Sequence, residues 1–354
     1  MPPLPRWLPL LAAGLQLLIG GLRFSDGRTL LAIAQGQGLE AEIFHNPATQ
    51  YVWESPLKVW LLRAWPLPSL LALAGLFLLL GLLPLIGLLW PMGSRFYVLT
   101  SWLLLLTPAL KVSLQNLGVG DGLVSLLTVL LVLQRRHPAT AAGLLLFIAA
   151  WHPGQAPFIA MSTLVGMVAV GEGRPLRRLG LLTSAMAGAL LASRLLLLLY
   201  NNTLGFAYTG RFGYLKLRLA EFLPGNLLHA PLALLFPIAL GLACVGLLRL
   251  PQQRPATSLV LAWCALVSAV ALFTTDVSRV VVLCLTPLPL VLIDSRVPIT
   301  PSRPWRWPWM QRHWPLLCSL VVALIPLYSW SGIDLSLWPD LLQDACKYGI
   351  TCPP

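Results

Sequence analysis

Residues 69–90 read SLLALAGLFLLLGLLPLIGLLW and carry no charged side chain. A helix needs about 20 mainly apolar residues to cross the hydrocarbon core of a bilayer, so this run predicts a transmembrane helix. The rest of the chain has the same character, since 57% of its 354 residues are hydrophobic, 10% are charged and the mean hydropathy is +0.79. Soluble domains carry about 25% charged residues. The composition therefore predicts an integral membrane protein.

Further apolar runs approach the same length, and together they number about eleven. They are residues 7–22, 69–90, 97–117, 122–134, 139–151, 154–170, 179–200, 228–249, 258–275, 278–293 and 314–330. The fourth to sixth runs are short and are separated only by RRHPAT and HPG, which also allows half-helices or tilted helices sheltered inside the bundle. The predicted fold class is all-α, a polytopic transmembrane helical bundle of about 11 spans forming a single integral membrane domain over residues 1–354.

The charges divide between two sets of loops. With the N-terminus placed in the cytoplasm, thirteen of the 24 Lys and Arg residues fall in the inside loops, as the positive-inside rule expects. They are Arg6, Arg95, Arg135, Arg136, Arg174, Arg177, Arg178, Arg249, Arg254, Arg296, Arg303, Arg306 and Arg312. Ten of the twelve carboxylates fall in the outside loops: Asp26, Glu40, Glu42, Glu54, Asp121, Glu221, Asp276, Asp334, Asp340 and Asp344. This pattern predicts a functional outer face and an outer C-terminal tail over residues 331–354. The short loops favour a bacterial plasma membrane.

The net charge of +12 and the pI near 10 have a simple explanation in such a protein. Basic residues hold cytoplasmic loops inside, so no nucleic-acid partner is expected. The segment 301–314, PSRPWRWPWMQRHW, interleaves Trp and Arg and predicts an anchor in contact with membrane lipid. Cys346 and Cys352 in the tail could form a disulfide if the tail faces an oxidising compartment.

Two long polar segments interrupt the apolar runs. Residues 23–66 form the predicted first outer loop, in which TLLAIAQ and PLKVWLLRAW place apolar residues at helical spacing. These stretches predict helices that lie along the membrane interface. Residues 201–227 form the second outer loop, where Arg211 is one of three cations able to bind phosphate.

Four polar residues adjoin apolar runs on the predicted outer face. Asp26, Asp121 and Asp276 each stand at the end of a run, and His152 lies in the short turn WHPGQ. A carboxylate near the membrane is costly unless it is paired or used. Each Asp also has a structural interpretation as a helix N-cap, and Asp276 could pair with Arg279. Their common face favours a shared site.

The order of these features resembles the GT-C superfamily of polytopic glycosyltransferases. An apolar span is followed directly by Asp26, a long outer loop with interfacial helices and many further spans. SPLKVWLLRAWPLPSLLALAGLFLL (55–79) resembles the Y-x-x-P-L…P entry to the second membrane block of bacterial polyprenol-dependent mannosyltransferase-like proteins. NLGVGDGL and the sequence that follows it, to residue 159, resemble their G-x-x-D span, basic turn and short helix. The resemblance covers residues 1–170 as architecture.

The resemblance implies a hexosyltransferase that moves a sugar from a lipid-phosphate-linked donor to an acceptor hydroxyl on the outer face. Asp26 would be the catalytic residue, as the general base or a metal-coordinating carboxylate that activates this hydroxyl. Cations would stabilise the departing lipid phosphate. The expected substrate-binding residues are Lys58, Asp121, His152, Arg211, Asp276 and Arg279.

The sequence departs from the family pattern beside Asp26, where SDG provides no DxD pair for a metal. Glu40 and Glu42 stand at ExE spacing, which could supply a Mg²⁺ or Mn²⁺ site or be two solvated charges. Two other function classes stay open. One is a lipid or small-molecule transporter or flippase, for which Lys111 and Arg194 are the charged candidates inside spans. The other is a non-enzymatic membrane assembly protein.

Overall fold

The structure is a computed structural model that describes part of the chain. The described residues are 5–20, 30, 31, 33, 35, 55–65, 69–115, 117–172, 176–203, 219–221, 223–248, 254–274, 276–295, 317, 320–329 and 332–334. Several residues that carry sequence predictions lie outside this set: Asp26, Glu40, Glu42, Arg211, Cys346 and Cys352.

The described residues include fourteen α-helices, two short 3-10 segments and one two-stranded hairpin, besides a few shorter helical stretches. The helices are α1 (Trp7–Gly20), α2 (Pro56–Ala64), α3 (Leu70–Leu82), α4 (Arg95–Leu106), α5 (Ala109–Gln115), α6 (Asp121–Gln134), α7 (Pro138–Trp151), α8 (Ala156–Ala169), α9 (Leu176–Thr203), α10 (Ala230–Ala233), α11 (Leu235–Leu248), α12 (Arg254–Ala271), α13 (Val277–Leu285) and α14 (Pro287–Asp294). The 3-10 segments are Leu83–Leu89 and Leu117–Val119. The predicted helical class is confirmed.

The hairpin corrects the last predicted span, 314–330. Residues 320–324 are helical, but β1 (Leu327–Ser329) pairs antiparallel with β2 (Gly332–Asp334). Pro326 explains the change, because proline lacks the amide hydrogen that a helix needs and disfavours helical backbone in the residue before it. The C-terminal end of this run is therefore extended rather than helical.

Three helices are long and apolar enough to cross a membrane: Leu71–Leu89, Leu179–Tyr200 and Val277–Asp294. A fourth span results if α4 and α5, which meet at an angle of 72°, are counted as one broken span. Six further apolar helices among the described residues have 10–17 residues. These helices indicate a membrane protein.

The long helices differ in what surrounds them. Leu71–Leu89 and Leu179–Tyr200 present large apolar side chains to the outside, such as Leu71, which is 71% exposed, and Leu199, which is 61% exposed. Such surfaces suit lipid tails, which are as apolar as leucine. Val277–Asp294 is 83% buried and therefore lies at the centre of the bundle.

This central segment runs beside α6 in the same direction. Asp121, at the start of α6, pairs with Arg279, and Arg135, directly after the end of α6, pairs with Asp294. The 14 residues of α6 span about 21 Å at 1.5 Å per residue, so the two pairs lie at opposite ends of the bundle. Each pair joins an acid on one segment to a base on the other, which fixes their register and direction.

The Arg135 end carries a network of five charged side chains. Arg135 donates to Glu172 through Nε and Nη2 at 3.0 and 2.7 Å. Arg95 binds Asp294 at 2.9 and 2.5 Å, and Arg136 binds Glu172 at 2.6 Å. Burial raises the pKa of Glu172, but the hydrogen bonds from the two arginines outweigh burial and the pKa is lowered. These basic residues belong to the set that the charge pattern assigns to the cytoplasmic side.

A single glutamine bridges the break between α4 and α5, where sequence analysis predicts one continuous run, 97–117. The Gln16 amide donates to the carbonyl oxygens of Leu104 and Thr107 at 2.7 and 3.0 Å. Its oxygen accepts from the backbone amides of Leu110 and Lys111 at 3.1 and 3.2 Å. Backbone groups freed by a broken helix must find partners away from water, and here one side chain from α1 supplies four hydrogen bonds.

The two segments predicted as outer loops contain helical turns where they are described. In the first, Leu30, Leu31 and Ile33 are helical, and α2 follows. In the second, residues 219–221 and 223–228 are helical. The Asn226 amide donates to two carbonyl oxygens just after α12, at 2.7 and 2.8 Å. This segment is therefore tied to the bundle at residue 226.

Candidate functional site

Glycines on both sides place Asp121 at the start of α6. Gly120 has a φ of +76°, in the left-handed region that glycine adopts readily. A Cβ on Gly120 would lie 2.7 Å from the Trp151 ring, and one on Gly122 would lie 2.2 Å from the carbonyl oxygen of Leu80. The missing side chains let α6 begin in close contact with its neighbours, and Asp121 is fully buried.

Arg279 on α13 meets two carboxylates. Its Nε lies 2.5 Å from Asp121 Oδ2 and its Nη2 lies 3.1 Å from Asp121 Oδ1, a bidentate arrangement. Its Nη1 donates to Asp276 Oδ2 at 3.1 Å. Bidentate pairs between arginine and a carboxylate are among the strongest hydrogen-bonded contacts in proteins, so Asp121 is the principal partner.

His152 completes the contact set. Its Nε2 lies 3.1 Å from Asp121 Oδ1 and 3.2 Å from Arg279 Nη2. Nε2 donates to Asp121 when it carries the proton and accepts from Arg279 when it does not. Burial is the main cause that lowers the pKa of His152 to about 3, and it outweighs the opposing hydrogen bond to Asp121. The imidazole is therefore neutral at physiological pH.

Helix α2 packs beside this cluster through Trp151. Ser55 Oγ donates to the Trp151 carbonyl oxygen at 2.5 Å, and Lys58 Nζ lies 5.9 Å from the centre of the Trp151 ring. Lys58 is 4% exposed, whereas Trp60 on the same helix and Trp65 directly after its end are 58% and 66% exposed. The prediction of a helix within PLKVWLLRAW is confirmed for Pro56–Ala64, with Lys58 on the buried side and Arg63 exposed.

The structure thus brings together four of the residues selected from the sequence: Asp121, His152, Asp276 and Arg279. We refer to them as the Asp121 cluster. Lys58 lies against Trp151, the residue before His152. Asp26 and Arg211, the other two predicted residues, lie outside the described residues.

The interpretation of these acids as helix caps is wrong for Asp121, and for Asp276 it holds for the position but not for the side chain. Gly120, not Asp121, occupies the N-cap of α6, and Asp121 is the first helical residue. Asp276 occupies the N-cap of α13 but makes no capping hydrogen bond through its side chain. Instead it binds Arg279, as the ion-pair interpretation predicts.

The ion pairs with Asp121 and Asp276 limit how Arg279 can bind a ligand. Its positive charge already faces two carboxylates, and four of its five N–H groups have partners, so a phosphate that makes a bidentate contact with it must replace one carboxylate. Asp276 is the weaker partner, because its side chain is 37% exposed and it makes one contact at 3.1 Å. Asp121, with no exposed side-chain area, holds two donors and stays in place.

Sequence reasoning overlooks three residues near the cluster: Ser125, Trp151 and Gln155. Ser125 follows Asp121 by four positions, a spacing that puts both on one face of a helix. Trp151 and Gln155 lie within the WHPGQ turn that was selected for its histidine. Among the described residues, no group of three or more His, Cys, Asp or Glu side chains is arranged to hold a metal ion.

Comparison with known proteins gives no relative. No protein-family model, curated protein or solved structure matches the chain. The resemblance to GT-C glycosyltransferases therefore rests on the sequence motifs given above.

Proposed function

We propose that the protein is a membrane glycosyltransferase of the GT-C type. It transfers a sugar from a lipid-phosphate-linked donor to an acceptor hydroxyl on the extracytoplasmic face of a bacterial plasma membrane. In this proposal about eleven segments cross the bilayer, with the N-terminus in the cytoplasm and the C-terminus outside. The Asp121 cluster then lies on the outer side and the Arg135 network on the inner side.

The observation that carries the proposal is the contact among Asp121, His152, Asp276 and Arg279 at one end of the bundle. Ionisable groups inside membrane proteins are costly and are usually functional. The four side chains come from α6, from the turn after α7 and from the start of α13, so three distant parts of the chain meet there. Charge and hydrogen-bonding groups are thereby concentrated at the end of the bundle that this proposal assigns to the outer side.

The chemistry divides between these residues and the first outer loop. Asp26 is proposed as the base that accepts the proton of the acceptor hydroxyl while that oxygen attacks the anomeric carbon. Lys58 and Arg211 are proposed to stabilise the charge that develops on the departing lipid phosphate. Arg279 contributes to the same task if the phosphate replaces Asp276. Asp121 holds Arg279 and His152 in position.

The test is sugar transfer by the purified chain in proteoliposomes. Radiolabelled polyprenyl-phosphate mannose, glucose and galactose are supplied with a mixture of lipid and glycan acceptors, with and without EDTA. We expect transfer from at least one donor, and we expect Asp26→Asn to reduce it by about 100-fold or more. Glu221→Gln, which removes an exposed carboxylate from the second outer segment, is the matched control.

The outcomes separate the parts of the proposal. Absence of transfer from every donor would contradict the proposed reaction. Transfer that is unchanged in Asp26→Asn would show that Asp26 is not the base. We expect transfer to persist in EDTA, because no second carboxylate stands beside Asp26. A requirement for Mg²⁺ or Mn²⁺ would instead indicate Glu40 and Glu42 as the candidate metal ligands.

One observation favours a transporter as the second candidate. The 72° break between α4 and α5 lies beside Lys111, which is 2% exposed and donates to the Ile325 carbonyl oxygen at 3.0 Å. Broken helices and buried charges form the substrate sites of many transporters. Movement of a fluorescent polyprenyl-phosphate sugar between leaflets, without any transfer of the sugar, would support this alternative.

A further inference from the structure

His152 of the Asp121 cluster, and two residues close in the chain to cluster members, each carry a buried polar atom that has no hydrogen-bond partner among the described residues. The three atoms are His152 Nδ1, Gln155 Oε1 and Ser125 Oγ. The exposed fractions of these residues are 3%, 2% and 1%. Buried polar side chains in native proteins nearly always have a partner, so each exception calls for an explanation such as a bound molecule.

The three residues are linked to the cluster through the backbone and the helix repeat. Ser125 lies one turn beyond Asp121 on the same face of α6. Gln155 closes the turn that begins at His152, since its backbone amide donates to the His152 carbonyl oxygen at 3.2 Å. His152 is itself bound to Asp121 and Arg279 through Nε2, which leaves Nδ1 as the unpaired nitrogen.

The atom types narrow the class of ligand. The amide oxygen of Gln155 only accepts hydrogen bonds, whereas the Ser125 hydroxyl donates and accepts. Nδ1 of His152 accepts when Nε2 donates to Asp121, and donates in the other tautomer. A phosphate oxygen without a proton can only accept, so it leaves Gln155 unpaired. An alcohol hydroxyl both donates and accepts and suits all three atoms.

We propose that His152, Gln155 and Ser125 bind hydroxyl groups of the sugar carried by the lipid-linked donor. This inference rests on the proposed function, whose sugar it assigns to a specific group of side chains. Within this site Asp121 is a positioning residue, because it holds the imidazole of His152 while the ligand meets Nδ1. Buried water is the competing occupant, since water satisfies otherwise unpaired polar groups in many proteins.

Equilibrium binding to the purified full chain in detergent tests the assignment. The probes are polyprenyl-phosphate mannose, glucose and galactose, with bare polyprenyl phosphate as the probe that lacks hydroxyls. Gln155→Met keeps the side-chain length but removes the acceptor, and Ser125→Ala removes the hydroxyl. Gln134→Met, on the exposed end of α6, is the control for the same substitution outside the site.

We expect Gln155→Met to weaken binding of the preferred sugar lipid about tenfold, the size of effect expected for a lost hydrogen bond. Ser125→Ala should weaken it severalfold and retain the fold, which keeps the test informative if the Gln155 variant does not fold. Binding of bare polyprenyl phosphate should stay unchanged in both variants. The preference among the three hexoses should also change, because these sugars differ in the orientation of their hydroxyl groups.

The results distinguish this site from the proposed reaction. The proposed sugar site is contradicted if the parent, Gln155→Met and Ser125→Ala bind the sugar lipids equally well. The three atoms would then be assigned to bound water. Equal losses for the bare lipid phosphate would also contradict the site. If the parent binds the sugar lipids in a sugar-dependent way but transfers no sugar, the result supports the site and contradicts the proposed reaction. If the parent binds no sugar lipid, both proposals fall.

Discussion

The carboxylate of Asp121 and the guanidinium of Arg279, 158 positions apart in the chain, form a bidentate pair at 2.5 and 3.1 Å. Asp121 has no exposed side-chain area and Arg279 is 11% exposed. Because the pair joins the starts of two central helical segments, it determines where His152 and Asp276 can lie. The stability of this end of the bundle and the geometry of the candidate site therefore depend on one contact.

Arg279→Gln is expected to destabilise the protein by about 3–5 kcal/mol, because it leaves the buried Asp121 carboxylate without its compensating charge. The measurement is the thermal unfolding of the detergent-purified protein followed by circular dichroism. Asp276→Asn removes the more exposed partner and should cost less than about 1 kcal/mol. The double variant Asp121→Asn with Arg279→Gln should be more stable than Arg279→Gln alone. A loss of stability in Asp276→Asn as large as that in Arg279→Gln would contradict the dominance of the buried pair.

The stability of the protein is expected to fall as the pH is lowered from about 6.5 towards 3 because of His152. Its pKa is about 3 in the folded state, against about 6.5 in an unfolded chain. Between these values the unfolded state binds a proton that the folded state does not, so stability rises with pH by about 1.4 kcal/mol per unit. Above pH 6.5 the residue is neutral in both states and contributes no slope.

The measurement for this prediction is the difference in pH dependence between the parent and His152→Gln. Denaturant unfolding at pH 4 to 8 should show a shallower slope for the variant in the acidic part of the range. His137→Gln, at an exposed position before α7, should follow the parent. Superimposable curves for the parent and His152→Gln would show that His152 is not held neutral by the fold.

Much of the helical architecture follows from the sequence because apolar length is a local property. Residues 69–90 and 179–200 predict helices that the structure contains, and 278–293 predicts the central segment. The common position of Asp121, His152 and Asp276 at the ends of runs predicts a shared site, and in the structure Arg279 contacts all three. That reasoning works because a bilayer forces alternate ends of successive helices to opposite sides.

The features of the structure that the sequence does not predict depend on contacts between residues far apart in the chain. The charge pattern predicts that Arg135 lies in a cytoplasmic loop, yet its side chain is fully buried and pairs with Asp294 and Glu172. No local pattern links residue 135 to residue 294. The break within 97–117 did have a local signal in Pro108, since proline in a helix removes a hydrogen bond. Its compensation by Gln16, 91 positions before Thr107, had none.

Gln16→Leu is expected to destabilise the protein by several kcal/mol. The substitution removes four hydrogen bonds to the broken helix and leaves buried backbone groups unpaired, at about 1–3 kcal/mol for each group. Gln16 is 1% exposed, so water cannot readily replace the amide. Thermal unfolding in detergent measures the effect, and Gln134→Leu on the exposed end of α6 controls for the change in side chain. A loss no larger than that of the control would mean that the break is stable without its bridge.

Gly122→Ala and Gly143→Ala should have opposite effects, although both glycines lie inside apolar helices of 14 residues. A Cβ on Gly122 would lie 2.2 Å from the Leu80 carbonyl oxygen, whereas a Cβ on Gly143 meets nothing within 4 Å. Overpacking costs about 1–3 kcal/mol or more, and here backbone rather than a flexible side chain must move. At Gly143, alanine should stabilise the helix by about 0.5–1 kcal/mol. Unfolding temperatures of the two variants in the same detergent give the comparison.

Because Gly122 follows Asp121 directly, its substitution should also weaken the Asp121–Arg279 pair. The loss of stability caused by Arg279→Gln should therefore be smaller in the Gly122→Ala background than in the parent. Full additivity of the two substitutions would show that the close approach of α6 to Leu80 does not position the cluster.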